Sequence, residues 1–370
     1  MRILLIDNDV FVQKKDSLCI FKTTGEFAVE LQKLGNNVEL LQTKLEMKSD
    51  FHDFNVLNKG LRITALKRFR FKVFTYLNAY LQGTWRVLNN DFVYIYYPTN
   101  YQYLAFIARL FGKQYGLNVR GQRGVDSKES RLLYRFAKVI FTVSPLFTAI
   151  ATAAGAKAYT QKPAISFGHQ DVVTDRTYEK REVYKLLFVG RLDSAKGIFE
   201  LIDAVKVLKE KGLKFELRIV GDGPELEHAK VKVNQLDLTA NVHFYGAIMD
   251  MNRLKQIYIE SDIYILPSYH EGFPRTIYEA MMFGTPIITT FVGGIPFLMK
   301  DNENCFRIAP ESVESICDKL EYVILNYGNM GRITINAREL VSELISPDRL
   351  SHAQQLHELL KDNKSEPKLI

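Results

Sequence analysis

Two glutamates eight positions apart, Glu271 and Glu279, flank the start of one short helix in the second half of the sequence. Glu271 follows an apolar run typical of a strand, and Pro274 suits the first turn of a helix that ends at Gly284. Backbone amides over residues 272–276 would lie at the positive end of this helix, where amides can hold a diphosphate. Two carboxylates placed in this way can accept hydrogen bonds from sugar hydroxyls. The alternative is a helix-start acid and a solvated glutamate.

A glycine and two cations follow an earlier strand-like run. Gly190 ends that run, and Arg191 and Lys196 occupy the loop that leads into the next helix. Two cations beside a helix N-terminus are typical of an anion-binding site, because both the charges and the helix dipole attract anions. The alternative is a pair of solvated loop charges.

Two glycine turns accompany these residues. Gly221 and Gly223 form a tight turn before Pro224, and a second glycine pair lies at 293–294. Glycine permits the backbone to approach a ligand closely, although most such turns are only turns. We therefore expect both turns at the edge of the same site.

The elements that must position these groups alternate between strands and helices in both halves of the chain. The first half predicts strands over 2–7, 38–41, 91–97, 115–119 and 139–143, and helices over 25–34 and 102–111. The second half predicts strands over 185–189, 215–220, 242–245, 263–266 and 286–289, with helices between them. This alternation indicates an α/β fold with parallel sheets.

The alternating pattern weakens over residues 155–185, where we place an interdomain linker. We expect domains over 1–165 and 166–346, and a C-terminal helix and tail over 347–370 that packs back on the first domain. Two successive Rossmann-like domains imply a central cleft that holds the ligand.

Composition narrows the setting of the protein. The 370 residues carry a net charge of +7, and the three cysteines, Cys19, Cys305 and Cys317, form no CxxC pair. A disulfide framework or zinc site is therefore not expected. The first residues lack the pattern of a signal peptide, and no apolar run reaches the roughly 18 residues of a spanning helix. We expect a cytoplasmic protein, either soluble or peripheral on the inner face of the cytoplasmic membrane.

A basic, aromatic segment spans residues 59–86, with seven lysines or arginines and no acid. One interpretation is a surface that docks on anionic lipid beside a lipid-linked acceptor. The other is a helical hairpin packed by its aromatic residues, with solvated cations.

The combined pattern of Arg191, Lys196, the 221–224 turn and the two glutamates resembles glycosyltransferase family 4, the glycosyl transferases group 1. The resemblance is specific over 185–305 and loose elsewhere. It implies the GT-B fold, that is, two Rossmann-like domains that face a central cleft. It also implies retaining transfer of a sugar from a nucleotide diphosphate donor, UDP- or GDP-linked, to a glycan or polyprenyl-linked acceptor, with a bacterial surface polysaccharide as the product.

The resemblance assigns roles to residues. Arg191, Lys196 and Glu271 are the expected catalytic residues, of which the cations hold the donor diphosphate and Glu271 contacts the transferred sugar. Glu279 is expected to bind the ribose, and residues 244–247 the base. The remaining expected donor contacts are Gly190, Gly221, Gly223, Gly272, Phe273 and Thr276. No cofactor or metal ion is required, because cations and amide dipoles neutralise the leaving diphosphate.

The sequence departs from the family in its first half. Many members carry a histidine near the anomeric carbon, often before a glycine, and here Arg120 precedes Gly121 in that place. An arginine there suits a leaving phosphate or an anionic acceptor, and we include Arg120 among the binding residues. The alternative is a salt-bridged residue at the end of a strand.

Other functions are weighed against this one. A GT-B sugar-nucleotide epimerase or a non-enzymatic nucleotide-sugar-binding protein would keep the same motifs. A dinucleotide-dependent oxidoreductase is disfavoured, since no G-x-G-x-x-G follows the strands at 2–7 or 185–189. The basic residues are spread along the chain, so nucleic acid is not an expected partner.

Overall fold

The computed structural model describes residues 1–46, 52–120, 124–163 and 165–361. Gly121 lies outside the described residues. Two units divide the chain: unit 1 is Met1–Lys162 together with the segment from Leu350 onward, and unit 2 is Pro163–Arg349.

Within its described residues, unit 1 contains nine strands, seven of them in a parallel sheet with the order β5-β3-β1-β6-β7-β8-β9. The strands are β1 (Arg2–Lys14), β2 (Ser17–Ile20), β3 (Asn37–Leu45), β4 (Phe54–Asn55), β5 (Arg62–Lys67), β6 (Phe92–Tyr97), β7 (Gln114–Val119), β8 (Val139–Thr142) and β9 (Ala158–Thr160). Strands β2 and β4 add an antiparallel extension to the distal half of β1.

In the part of unit 1 that the structure describes, six helices pack against the sheet. They are α1 (Lys22–Lys33), α2 (Lys72–Asn89), α3 (Leu104–Leu110), α4 (Lys128–Phe136), α5 (Pro145–Ala153) and, from the C-terminal segment, α12 (His352–Lys361). The basic segment therefore forms strand β5 and one helix, α2. The predicted helical hairpin is wrong, because residues 62–67 pair with β3 instead of folding as a helix.

Unit 2 has a six-stranded parallel sheet with the order β12-β11-β10-β13-β14-β15. The strands are β10 (Tyr184–Val189), β11 (Phe215–Val220), β12 (Val242–Gly246), β13 (Ile263–Leu266), β14 (Ile287–Thr290) and β15 (Phe306–Ile308). The helices are α6 (Ile198–Glu210), α7 (Leu226–Gln235), α8 (Met251–Glu260), α9 (Arg275–Met282), α10 (Val313–Leu325) and α11 (Gly331–Ile345).

The two sheets share one topology. In each unit the chain builds three parallel strands outward from its first strand, then crosses back and continues on the other side, which is the 3-2-1-4-5-6 order of a Rossmann fold. The crossing creates a switch point, between β1 and β6 in unit 1 and between β10 and β13 in unit 2. Ligands of open α/β sheets bind beyond the carboxyl ends of the strands at such points.

The central strands are buried on both faces, as the near-continuous apolar runs of a parallel sheet require. Strands β6, β8, β13 and β14 are buried at every residue. Among the described helices, none combines the length and apolarity that crossing a membrane demands.

Helix α12 places a partly buried histidine, His352, against the aromatic core of unit 1. His352 Nε2 lies 2.7 Å from the Tyr94 hydroxyl, and the imidazole stacks on Phe27 with ring centroids 4.3 Å apart. Burial lowers the pKa of His352 well below its usual value, and the positive charge of Arg120 lowers the pKa further. The folded state therefore holds a neutral imidazole.

We expect this histidine to make unit 1 acid-sensitive. The unfolded chain binds a proton near the ordinary pKa of about 6.5, and the folded chain does not. The contribution of His352 to stability is therefore fully present above that pH. Below it, the free energy of unfolding falls by up to about 1.4 kcal/mol per pH unit. Thermal unfolding at about pH 7.5 and about pH 5.5 measures the loss. His352→Gln keeps an acceptor for Tyr94 and should show a smaller acid shift than the wild type. Equal acid shifts in both proteins would contradict the assignment.

Candidate functional site

The loops that leave β10 and β13 meet at the switch point of unit 2. Strands β10 and β13 pair directly, so their carboxyl ends are adjacent. The first loop carries Lys196 and the second carries Glu271. The backbone N–H of Tyr269 donates to the carbonyl of Ala195 at 2.8 Å, which ties one loop to the other.

Lys196 and Glu271 form the central ion pair of the site. The Lys196 Nζ lies 2.5 Å from Glu271 Oε1, and the side chains are 21% and 9% exposed. Two charges this far withdrawn from water lose much of their hydration, and each partner offsets that loss for the other. Because the pair stays partly open to solvent, an anion that enters can contact the ammonium while a hydroxyl reaches the carboxylate.

Glycines permit the loops after β10 and β11 to touch. A Cβ on Gly221, at φ +141°, would lie 1.8 Å from the carbonyl oxygen of Gly190. A Cβ on Gly223 would lie 2.2 Å from the carbonyl oxygen of Leu192. Backbone contact between the loops after β10 and β11 thus requires these glycines, in addition to any role that they have toward a ligand.

The loops after β13 and β14 meet in the same way. Gly293, at φ +57°, faces the Glu271 carbonyl oxygen, which an added Cβ would approach to 1.7 Å. The N–H of Gly294 donates to the carbonyl of Gly272 at 2.8 Å. The backbone of the 293–294 turn therefore fixes the position of Glu271.

Helix α9 begins immediately after these loops. Pro274 is its N-cap, and among the described residues no side chain caps its first turn. Its first amides consequently remain available to an anion. Thr276 Oγ1 accepts from the Tyr264 hydroxyl at 2.6 Å, and Phe273 is buried against Tyr278.

Glu279 is a buried carboxylate on the inner side of α9. Its Oε2 accepts a 2.9 Å hydrogen bond from the Tyr258 hydroxyl, and the residue is 8% exposed. Burial raises the pKa of Glu279, which the Tyr258 hydrogen bond and the charge of Arg275 partly counteract. The predicted solvated alternative for Glu279 is therefore wrong.

Arg191 lies in the same loop as Lys196 but points into solvent. Its side chain is 71% exposed, and its Nε is 3.7 Å from Asp193 Oδ2. The structure therefore brings Lys196 and Glu271 together and leaves Arg191 outside that contact.

Arg120 belongs to unit 1, at the end of β7. Its guanidinium lies 3.9 Å from the centroid of the Tyr96 ring, a cation–π geometry. The backbone N–H of Arg120 donates to the Tyr97 carbonyl. Arg120 therefore packs on the face of the Tyr96 ring. The salt-bridge alternative for Arg120 is not observed among the described residues.

The comparisons with known proteins fit this architecture. The Anabaena HepE protein, in a crystal structure with UDP, is 17% identical with a TM-score of 0.71, and the match covers 98% of this chain and 100% of that one. The fold is therefore GT-B, a class with two α/β domains that each contain a parallel sheet, as the sequence predicts.

Residues 174–340 match the family described as Glycosyl transferases group 1. An uncharacterised glycosyltransferase of Methanocaldococcus jannaschii is 33% identical over 167 residues, which are 45% of this chain and 42% of that protein. An amylovoran biosynthesis glycosyltransferase of Erwinia amylovora is 33% identical over 133 residues, 34% of this chain and 32% of that protein. The chain thus matches less than half the length of these relatives. Over residues 174–340 it is therefore similar to the glycosyl transferases group 1.

Sequence reasoning missed the tyrosines that support the site. Tyr258 and Tyr264 come from α8 and β13 and hold Glu279 and Thr276, respectively. Burial raises the pKa of both phenols well above the usual value, so both remain protonated donors. Nothing in their spacing from Glu279 signals this contact, because it depends on how α8 packs beside α9.

Replacing Gly293 by alanine should damage unit 2 far more than the same change at Gly212. Both glycines have positive φ, but Gly212 has no atom within 4 Å of an added Cβ, whereas Gly293 has the Glu271 backbone at 1.7 Å. Gly212→Ala should cost about 1 kcal/mol of conformational strain. Gly293→Ala should cost at least about 2 kcal/mol more, since backbone must move. Chemical denaturation of both variants compares the costs, and similar losses would contradict the close approach.

Proposed function

We propose that this protein is a retaining glycosyltransferase that transfers a sugar from a nucleotide diphosphate donor, UDP- or GDP-linked, to a glycan or polyprenyl-linked acceptor. The observation that carries the proposal is the Lys196–Glu271 pair at the switch point of the group 1 domain. A cation beside a carboxylate suits a ligand that presents a phosphate next to a sugar hydroxyl.

The roles divide by chemistry. Lys196 and Arg191 neutralise the leaving diphosphate, together with the free amides at the start of α9. Glu271 accepts hydroxyls of the transferred sugar. Glu279, positioned by Tyr258, accepts the ribose hydroxyls. Backbone at Gly190, Gly221, Gly223, Gly272, Phe273 and Thr276 completes the donor site.

Transfer proceeds on one face of the sugar. The bond from the anomeric carbon to the diphosphate oxygen breaks, and the acceptor oxygen bonds to the same carbon from the same side. The departing phosphate oxygen takes the acceptor proton, so no protein nucleophile is needed. The protein supplies orientation and charge stabilisation, and no cofactor enters the reaction. Arg120 is assigned to a leaving phosphate or an anionic acceptor.

The names of two similar proteins support the biological setting that we propose. HepE is described in complex with UDP, and the Erwinia relative is named for amylovoran biosynthesis. We therefore propose a role in bacterial surface polysaccharide synthesis, in the cytoplasm. A sugar-nucleotide epimerase is the rival, and it would consume donor without requiring an acceptor.

Lys196→Ala should lower kcat by about 10²- to 10³-fold, since one stabilising contact to the leaving group is lost. Glu271→Gln should lower kcat more than it weakens nucleotide affinity. Arg191→Ala should also reduce turnover. Lys206→Ala is the matched control, because Lys206 pairs with Glu210 on the neighbouring helix α6 and touches none of these groups.

The measurement is nucleotide released from a panel of UDP- and GDP-sugars, with and without candidate acceptors, alongside thermal shifts with the free nucleotides. Near wild-type turnover by purified Lys196→Ala would overturn the assignment. Donor consumption that is independent of acceptor, and that regenerates a nucleotide sugar, would favour the epimerase.

A peripheral membrane location is proposed from the outer face of α2. The residues Phe74, Leu77, Leu81, Trp85 and Leu88 recur at helical spacing and are all exposed, by 36% to 65%. The opposite side of the helix carries the buried Ala79, Gly83 and Val87. An exposed apolar stripe that follows a cationic run matches an interfacial helix on an anionic membrane.

Vesicles of phosphatidylglycerol should therefore bind the protein in a salt-sensitive manner. Leu81→Ser with Trp85→Ser should reduce the co-sedimenting fraction several-fold, because inserted apolar area is lost. Met249→Ser with Leu325→Ser removes two comparably exposed residues from unit 2 and should leave binding unchanged. If the wild type shows no salt-sensitive binding, the membrane proposal fails.

A further inference from the structure

The switch point of unit 1 contains a bulge. The pairing of β1 with β3 shifts register between Ile6 and Val10, which pushes Asn8 out of the regular ladder. Asn8 Oδ1 accepts from Asn100 Nδ2 at 3.2 Å, and Asn100 follows the end of β6. Bulges at strand ends frequently re-aim side chains toward a site.

Two adjoining cavities open at this point, within unit 1. One has a volume of about 310 Å³ and the other of about 720 Å³. Both are lined by Asn8, Tyr76 and Asn100, so the two cavities share part of their walls.

The smaller cavity is lined by three cations and no acid. Arg68, Arg70 and Lys72 all face it and are exposed. Within the described ranges, none of the three has a carboxylate partner within 4.0 Å. The other two arginines of this segment differ, since Arg62 and Arg86 both pair with the buried Glu39. The carboxylates of the bulge are engaged too, Asp7 by Thr24 and Asp9 by His52.

The position of these cations costs stability. Lys72 is the first residue of α2, and its first turn contains no acid and no side-chain cap among the described residues. Cations at a helix N-terminus are repelled by the helix dipole. The loop is nevertheless held firmly, because Phe69 N–H donates to Thr75 Oγ1 at 2.9 Å. An arrangement that destabilises the free protein is explained if an anion completes it.

The residues that line the larger cavity suit a sugar. Tyr76, Tyr80, Tyr97 and Tyr103 line it, together with Gln102 and Ser127. Aromatic rings offer flat apolar surfaces, and amides and hydroxyls supply hydrogen bonds that fix orientation. The side chain of Glu129 accepts from the Tyr103 hydroxyl there.

We propose that Arg68, Arg70 and Lys72 bind a phosphate or diphosphate group of the acceptor, whose sugar occupies the adjoining tyrosine-lined cavity. This inference rests on the proposed glycosyltransferase function and names its acceptor class: a glycosyl phosphate or diphosphate. Arginine pairs with phosphate oxygens through two parallel hydrogen bonds. The first turn of α2 has no side-chain cap among the described residues, and its Lys72 lines the same cavity, so the positive end of the helix dipole adds to the attraction.

The test is isothermal titration of the full chain with inorganic pyrophosphate and with farnesyl diphosphate, the nucleotide site being saturated with whichever nucleotide binds best. Arg68→Gln with Arg70→Gln should weaken both ligands at least tenfold. Lys33→Gln with Lys59→Gln is the control: it removes the same net charge from exposed residues that line neither cavity, and it should leave both affinities unchanged.

Folding is checked separately. Lys72→Gln removes a cation from the positive end of α2, so its Tm should equal or exceed that of the wild type while diphosphate affinity falls. A lower Tm together with unchanged affinity would show a structural role and overturn the proposal.

Vesicles of phosphatidylglycerol separate the two sources of phosphate. If Arg68→Gln with Arg70→Gln weakens vesicle binding but not binding of pyrophosphate or farnesyl diphosphate, the cations serve lipid headgroups and the acceptor site is rejected. Equal loss in the control variant would also reject it. If no nucleotide binds the wild type yet pyrophosphate affinity still depends on Arg68 and Arg70, the anion site stands and the donor function fails.

Discussion

Close contact between backbones at the carboxyl edge of the unit 2 sheet is the constraint on which the site depends. The loops after four adjacent strands touch at points where a Cβ would fall within 2.2 Å of a carbonyl oxygen, at Gly197, Gly221, Gly223 and Gly293. Each glycine permits one loop to lie directly on another, so the side chains between them have little freedom. The separation of 2.5 Å between Lys196 and Glu271 follows from this backbone arrangement, since Lys196 ends a one-turn 3₁₀ helix and Glu271 lies in a loop.

An ion pair held this way is suited to exchange partners. Taking both charges out of water costs several kcal/mol per ion, and the pair offsets this only while both members remain. Under the proposed function, a diphosphate replaces Glu271 as the partner of Lys196, and a sugar hydroxyl replaces Lys196 as the partner of Glu271. The buried Glu279 differs, because the Tyr258 hydroxyl holds it and burial raises its pKa. One carboxylate is therefore exchangeable, and the other is fixed.

The sequence predicts the sheets better than it predicts their extensions. Strands β11 and β13 have the predicted bounds, because short apolar runs between turn residues are clear signals. Strand β1 continues to Lys14 rather than ending at residue 7, since the bulge at 7–9 interrupts an apolar pattern that resumes at Val10. Strand β5 was missed because its burial comes from pairing with β3, which is distant in sequence. The contact between Lys196 and Glu271 joins residues 75 positions apart, and only the order of the strands brings them together.

The two units use one topology with opposite electrostatic solutions. At the unit 2 switch point the partly buried Lys196 has an acidic partner, Glu271, within the protein. At the unit 1 switch point the cations face solvent, and Asp7, Asp9 and Glu39 are engaged by Thr24, His52 and other arginines, respectively. A site whose charges are paired favours exchange of ligands, whereas unpaired exposed cations attract an anion over a longer range and with strong salt dependence. Equivalent strand ends of one topology thus carry different charge arrangements, and the difference lies in the loops rather than in the sheets.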